Sequence, residues 1–104
     1  MHKDGKRQIN ADLYKAVLLL KTPKECADFF EDLCTITELC AMEQRFEVAM
    51  LLEQGYIYSD ILERTGASSA TISRVNRSLR YGAGGYTAAL TRLGVKKKSV
   101  LDNN

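Results

Sequence analysis

Apolar residues recur at helical spacing along most of this 104-residue chain, and signals for helix starts and stops interrupt the pattern often. The first apolar stripe predicts a helix over 10–20. Thr22 and Pro23 then combine a capping box with a proline at the first helical position, so a second helix is predicted to run to about Cys34. The chain is therefore predicted to be all-α and built of short helices.

The middle of the chain is predicted to hold two further helices. Thr35 and Glu38 form a second capping box, which starts a short helix ending near Ala41. A longer helix over 42–53 follows, and Gly55 provides a left-handed stop after it.

Apolar positions between 26 and 39 spread beyond the single stripe of about 100° that a surface helix shows. A helix that is apolar on more than one side is buried on more than one side. In a chain this small a second subunit is the natural cover, so the helices over 10–54 are predicted to build a homodimer. The alternative is the central helix of a monomeric bundle.

Residues 58–80 have the pattern of a helix-turn-helix, which needs a positioning helix, a tight turn and a second helix with an apolar back. Gly66 fits the turn, and Ser68 is a suitable N-cap for a second helix over 69–79. Because a helix turns about 100° per residue, three apolar side chains of that helix form its buried stripe: Ile72, Val75 and Leu79.

The opposite face of the second helix is small, polar and basic. Ala70 can touch a thymine methyl group, Ser73 can bond to either base of a pair, and Arg77 can reach guanine or phosphate. The free amides at the start of the helix suit a phosphate. The predicted DNA contacts are Ser68, Ser69, Ala70, Ser73, Arg74, Arg77 and Arg80.

The charge of the chain is divided unevenly, which supports a nucleic-acid partner. Residues 1–63 hold 7 Lys and Arg against 12 Asp and Glu, whereas residues 64–104 hold 8 against 1, Asp102. A merely solvated surface would more often mix the two signs. The basic second part is therefore predicted to meet a polyanion, double-stranded DNA.

Several other classes of protein are not favoured. Cys26, Cys34 and Cys40 form neither a CxxC pair nor an even disulfide set, and His2 is the one histidine, so we expect three buried, reduced thiols and no metal site. No nucleophile–base pair or phosphate-binding glycine loop suggests an enzyme. No apolar run is long enough for a membrane span or a signal peptide, and a cytoplasmic location is expected.

The predicted organisation is a flexible arm over 1–9, one helical domain over 10–93 that ends in a short helix at 86–93 and Gly94, and a basic flexible tail over 94–104. The three tail lysines, 96–98, are either simply solvated or a weak help in binding phosphate.

Three stretches of sequence resemble the Trp repressor superfamily, and within it the YerC/YecD-type branch of bacterial regulators: 29–35 (FFEDLCT), 44–49 (QRFEVA) and 65–75 (TGASSATISRV). The match covers roughly residues 9–93. The resemblance implies an intertwined homodimer of short helices. Its paired recognition helices would lie about one DNA turn apart and read a palindrome-like site.

The resemblance also implies a small-molecule pocket, in which the family's tryptophan corepressor is held by two arginines, threonines and a serine. Val75, however, stands where the tryptophan-responsive protein has a glycine, which leaves L-tryptophan, another small corepressor or no ligand open. An ion pair between Arg45 and Glu38 or Glu43 is the alternative role for the first arginine. The matching positions are Thr35, Arg45, Thr71, Arg74 and Ser78.

The predicted function is that of a sequence-specific DNA-binding transcriptional regulator, a repressor that binds its operator as a dimer. The alternative is a helical protein-interaction module that keeps the fold without specific DNA recognition.

Overall fold

The computed structural model describes residues 2–3 and 6–98 and confirms the predicted all-α class. Two strands of two residues, β1 (His2–Lys3) and β2 (Lys6–Arg7), pair antiparallel within the predicted N-terminal arm. Six helices follow in the described part of the chain: α1 (Ala11–Leu19), α2 (Pro23–Leu33), α3 (Ile36–Gln54), α4 (Tyr58–Thr65), α5 (Ser69–Tyr81) and α6 (Gly85–Leu93).

The contacts within the chain divide it into two compact units, Met1–Leu39 and Cys40–Asn104. In the first unit the helices begin where the sequence indicates. The side chain of Asn10 accepts a hydrogen bond from the Leu13 amide at 3.1 Å, and the Thr22 hydroxyl accepts one from the Glu25 amide at 3.0 Å. Each bond satisfies an amide that the first helical turn leaves without a partner.

Helix α3 differs from its prediction, because the two helices expected on either side of Ala41 are one continuous helix of 19 residues. The predicted start is correct: the Thr35 hydroxyl accepts a hydrogen bond from the Glu38 amide at 3.1 Å. The expected break is wrong because positions 41–44 hold Ala, Met, Glu and Gln, all good helix formers, with no glycine or proline.

Gly55 ends α3 as predicted. It has a positive φ of 97°, its amide bonds to the Leu52 carbonyl at 3.0 Å, and the Tyr56 amide bonds to the Leu51 carbonyl at 3.0 Å. This pair of bonds is the Schellman arrangement, which satisfies carbonyls at the end of a helix.

The hydrophobic core lies in the second unit, where α3, α4, α5, α6 and the turn between α4 and α5 bury nine side chains in one cluster. They are Val48, Ala49, Leu52, Ile61, Ala67, Ile72, Val75, Leu79 and Leu90. The three residues predicted for the back of the recognition helix are among them.

The first unit contrasts with this core, because α1 and α2 contain no buried residue. The expectation of three buried thiols is accordingly wrong for one chain: Cys26 and Cys34 are half-buried and Cys40 is exposed, although all three are free. The apolar residues near these cysteines in the sequence are half-buried or exposed as well.

The beginning of the predicted flexible tail is attached to the second unit. Val95 packs against the core, and the Lys98 amide donates a hydrogen bond to the Gln54 carbonyl at 2.9 Å. The Lys98 ammonium lies 4.0 Å from the centre of the Tyr56 ring, and the Arg64 guanidinium carbon lies 4.5 Å from it. The rest of the predicted tail, 99–104, lies outside the described residues.

These contacts predict that Lys98→Met lowers the free energy of unfolding, because it keeps the apolar stem and removes the cation from the tyrosine ring. We expect a loss of about 0.5–1 kcal/mol, the size of an exposed cation–π contact, in urea denaturation. Lys96→Met, at an exposed neighbouring position, is the matched control. Equal stability of the two variants would contradict the assignment.

Candidate nucleic-acid interface

The turn between α4 and α5 is closed by backbone geometry that requires a glycine. Gly66 has a φ of 72°, in the left-handed region, and its amide bonds to the Leu62 carbonyl at 2.9 Å. The next amide, that of Ala67, donates to the Thr65 hydroxyl at 3.0 Å, and the Ala67 side chain is buried. Three residues thus end α4 and set the direction of α5.

Gln44 of α3 forms a hydrogen bond to the residue that precedes this turn. Its side-chain amide donates a hydrogen bond to the Thr65 carbonyl at 3.2 Å, a group that the end of α4 would otherwise leave without a helical partner. Thr65 itself donates its hydroxyl proton to the Ile61 carbonyl at 2.7 Å. Sequence reasoning missed the role of Gln44, because a contact across 21 positions has no local pattern.

Helix α5 begins at Ser68 as predicted. The Ser68 hydroxyl accepts a hydrogen bond from the Thr71 amide at 3.1 Å and lies 3.1 Å from the Thr71 hydroxyl. It therefore serves the helix start as an N-cap, besides the phosphate contact predicted for it. The apolar back of the helix is fully packed, since Ile72, Val75 and Leu79 are all buried.

The predicted DNA-contacting side chains all lie on the exposed surface of the helix-turn-helix. No carboxylate occurs in α5, so nothing on this helix neutralises its three arginines. The structure adds one residue that sequence reasoning left out, Tyr81, which is 86% exposed at the last position of α5. The exposed predicted contacts are Ser68, Ser69, Ala70, Ser73, Arg74, Arg77 and Arg80.

Of the predicted pocket residues, Thr35 belongs to the first unit, where it caps α3. The Thr35 hydroxyl accepts a hydrogen bond from the Glu38 amide, and the Thr35 amide donates one to a Glu38 carboxylate oxygen at 2.8 Å. These hydrogen bonds from the Thr35 backbone and side chain hold the pKa of Glu38 below its usual value.

The alternative role for Arg45, an ion pair with Glu38 or Glu43, is not seen among the described residues and stays a prediction. Over residues 2–3 and 6–98 a single ion pair has a nitrogen–oxygen distance under 4 Å, and it joins Lys24 to Asp28 at 2.8 Å. Arg45 is half-buried in α3 without a carboxylate at that distance.

The other pocket residues follow one side of α5. Thr71, Arg74 and Ser78 are spaced three and four positions apart, which places them on one stripe beside the DNA-facing residues. Val75 is 1% exposed and belongs to the core cluster. An open groove in the second unit is formed by Cys40, Glu43, Gln44, Glu47 and Thr65, and none of the five predicted pocket residues is among them.

Two other classes of site are absent from the described ranges. No group of three or more His, Cys, Asp and Glu is arranged to hold a metal ion there. Among the same residues, no helix has the length and apolar character needed to cross a membrane.

The hydrogen bond from α3 to the turn predicts that Gln44→Ala destabilises the second unit. The substitution leaves the half-buried Thr65 carbonyl without its partner, so we expect a loss of about 0.5–1.5 kcal/mol in the free energy of unfolding. Urea denaturation measures it. Glu43→Ala, at the exposed preceding position, should change stability by less than about 0.5 kcal/mol. If both variants unfold alike, Gln44 does not support the turn.

Comparison with known proteins accounts for this arrangement. A family model described as Trp repressor protein matches residues 9–94. The uncharacterized protein YerC of Bacillus subtilis (strain 168) is 51% identical over 81 residues, 78% of each chain. A crystal structure of a candidate Trp repressor from Staphylococcus aureus matches with a TM-score of 0.80 at 44% identity, covering 85% of this chain and 88% of that one.

A second crystal structure, of a TrpR-like protein from Eubacterium eligens ATCC 27750, also matches with a TM-score of 0.80. Its sequence is 55% identical, and the match covers 85% of this chain and 91% of that one. These matches confirm the resemblance found in the sequence. The chain belongs to the Trp repressor family, in its YerC-type branch.

Proposed function

We propose that this protein is a sequence-specific DNA-binding transcriptional regulator, a repressor that binds a palindrome-like operator as a homodimer. The observation that carries the proposal is helix α5, whose apolar side is buried and whose other side exposes small, hydroxyl and arginine side chains without a carboxylate. A helix held by a tight turn with this division of faces suits insertion into the major groove.

The side chains of α5 differ in what they can do in the groove. Ala70 and Ser73 are small enough to let the helix approach base edges, and Arg77 can form a bidentate contact with guanine. Arg74 and Arg80 flank them and suit the phosphates, as does Ser69 in the first turn, where helix amides favour an anion. Base contacts give specificity here, and phosphate contacts give most of the affinity.

A dimer is supported by the apolar surface that the first unit leaves exposed. Leu18 and Leu19 of α1 are 84% and 74% exposed, and burying such a side chain fully is worth about 1.5–3 kcal/mol. A second copy of the same helices would cover them, as the wide apolar distribution over 26–39 predicts. Other large apolar residues exposed in this unit are Ile9, Tyr14, Leu33 and Ile36.

We further propose that DNA binding needs no small corepressor. The support is Val75, whose side chain is part of the core on the same helix as Thr71, Arg74 and Ser78. The isopropyl group of Val75, where the tryptophan-responsive protein has a glycine, therefore packs the recognition helix against the core.

Selection of bound sites from a random DNA library, with and without L-tryptophan, tests the function. The wild type should select a site with two-fold symmetry and the same affinity in both conditions. Arg77→Ala should weaken operator binding about 5- to 150-fold per half-site and relax preference at one base pair in each, because one bidentate arginine–guanine contact is lost per half-site. The control is Arg92→Ala, an exposed arginine on α6.

Three results of this selection would count against parts of the proposal. An unchanged site preference in Arg77→Ala would contradict the recognition face. A requirement for tryptophan would contradict binding without a corepressor. No preference at all in the wild type, together with co-purification of a protein partner, would favour an interaction module instead.

Sedimentation equilibrium tests the dimer. The wild type should have twice the chain mass of 11.6 kDa at micromolar concentration. Leu18→Gln should shift the equilibrium towards the monomer, because an amide replaces an apolar side chain in the proposed interface. Each dimer loses two such side chains, and a loss of about 2 kcal/mol for each weakens dimerisation about 1,000-fold. Glu31→Gln, at an exposed position of α2, is the control, and a monomeric wild type would contradict the proposal.

A further inference from the structure

The side chain of Tyr81 is exposed, and no other described residue covers its ring. At 86% it is the most exposed of the large apolar side chains in the described residues, although it occupies the last position of an ordered helix. The preceding apolar residue of α5, Leu79, is buried. A single exposed aromatic side chain is common on protein surfaces, so the position of Tyr81 on α5, and not its exposure alone, indicates what it contacts.

The position of Tyr81 on α5 is that of the proposed DNA face. It follows Arg77 by four residues and Ala70 by eleven, so at about 100° per residue it lies within about 40° of both around the helix axis. It is more than about 100° from each of the buried residues Ile72 and Val75. Tyr81 therefore extends the same face by one further turn.

The end of the helix fixes Tyr81 at that position. The Gly82 amide bonds to the Ser78 carbonyl at 2.9 Å, and the chain leaves the helix there in an extended conformation. A Cβ atom on Gly82 would lie 2.4 Å from the Ser78 carbonyl oxygen, so only glycine fits. The helix thus ends directly after the tyrosine, and no later helical residue covers its ring.

We infer that Tyr81 contacts the sugar–phosphate backbone of the DNA at the edge of the major groove, an inference that rests on the proposed function. Ala70 and Tyr81 are about 16.5 Å apart along the helix axis, at 1.5 Å per residue. The major groove is about 12 Å wide and 8.5 Å deep. With Ala70 at the base edges, Tyr81 is beyond the groove and beside its wall.

The chemistry of tyrosine suits this position. Its hydroxyl donates a hydrogen bond to a phosphate oxygen, a contact that tyrosine makes commonly in protein–DNA complexes, and its ring covers the deoxyribose. Arg77 and Arg80 on the same part of the helix supply the positive charge that a neutral phenol lacks. Tyr81 contributes affinity and orientation, and it does not read the sequence.

The test uses the full-length protein with Tyr81→Phe and Tyr81→Ala, and the control is Thr91→Val, which removes an exposed, uncharged hydroxyl from α6. Tyr81→Phe should weaken binding to the operator and to unrelated duplex by the same factor, about 10- to 150-fold for each subunit bound, because one hydrogen bond to a charged group is lost per subunit. Tyr81→Ala should weaken binding further. The selected site should stay the same, and urea denaturation should show unchanged stability, since the ring is exposed.

Two readouts separate this contact from a charge effect. The dependence of log affinity on log salt should keep its slope in Tyr81→Phe, because no charge is removed, whereas Arg80→Gln should reduce the slope by about 0.9 for each subunit of the dimer. In operators that carry a single neutral methylphosphonate at successive positions, one substitution should abolish the difference between wild type and Tyr81→Phe. That position identifies the phosphate.

The outcomes distinguish the inference from the function on which it rests. Wild-type affinity of both Tyr81 variants, with Arg77→Ala still weakened, would overturn the tyrosine contact and leave the proposed function standing. A changed base preference in Tyr81→Ala, or a shift to monomer in sedimentation, would overturn it in favour of base reading or a subunit contact. No binding of any duplex by the wild type would overturn both.

Discussion

The three-residue turn between α4 and α5 is the constraint on which the candidate interface depends. A base-reading helix needs its axis fixed, because a small rotation moves every contact on its face. Here the left-handed glycine at 66 ends α4, the buried methyl of Ala67 anchors the turn in the core, and Gln44 bonds to the Thr65 carbonyl. Backbone conformation, apolar packing and a hydrogen bond therefore hold the same few residues, and α5 inherits its direction from them.

The uneven burial of the chain gives the two units different physical requirements. The second unit packs nine side chains into one cluster, and this core holds α5 in place within a single chain. By contrast, α1 and α2 contain no buried residue. Exposed leucines such as Leu18 would stabilise the protein if another surface buried them and removed them from water. If that surface is a second copy, as we propose, the association that stabilises the first unit also doubles the recognition helix, so stability and operator symmetry have the same origin.

Most of the fold could be predicted because its signals are local. The caps at Thr22, Thr35 and Ser68 and the glycine stops at 55 and 66 are all encoded within four residues, and each occurs as expected. The division of α3 failed although the local signal was available, since no residue at 41–44 breaks the helix. What was missed is not local: the attachment of Lys98 and the role of Gln44 depend on contacts between elements distant in sequence.

The candidate site shows the same division between local pattern and tertiary context. The face of α5 follows from helical periodicity alone, and the structure exposes every residue predicted for it. Tyr81 was omitted because the helix was predicted to end at Leu79, before the glycine-rich stretch, whereas α5 continues to Tyr81. The predicted pocket depended instead on the surroundings of side chains. Thr71 and Ser78 lie between the buried stripe and the DNA-facing residues, and Arg74 is at the border with the latter. A helix of 13 residues whose back includes Val75 has little room for a third, ligand-binding face, which is why we assign Arg74 to DNA.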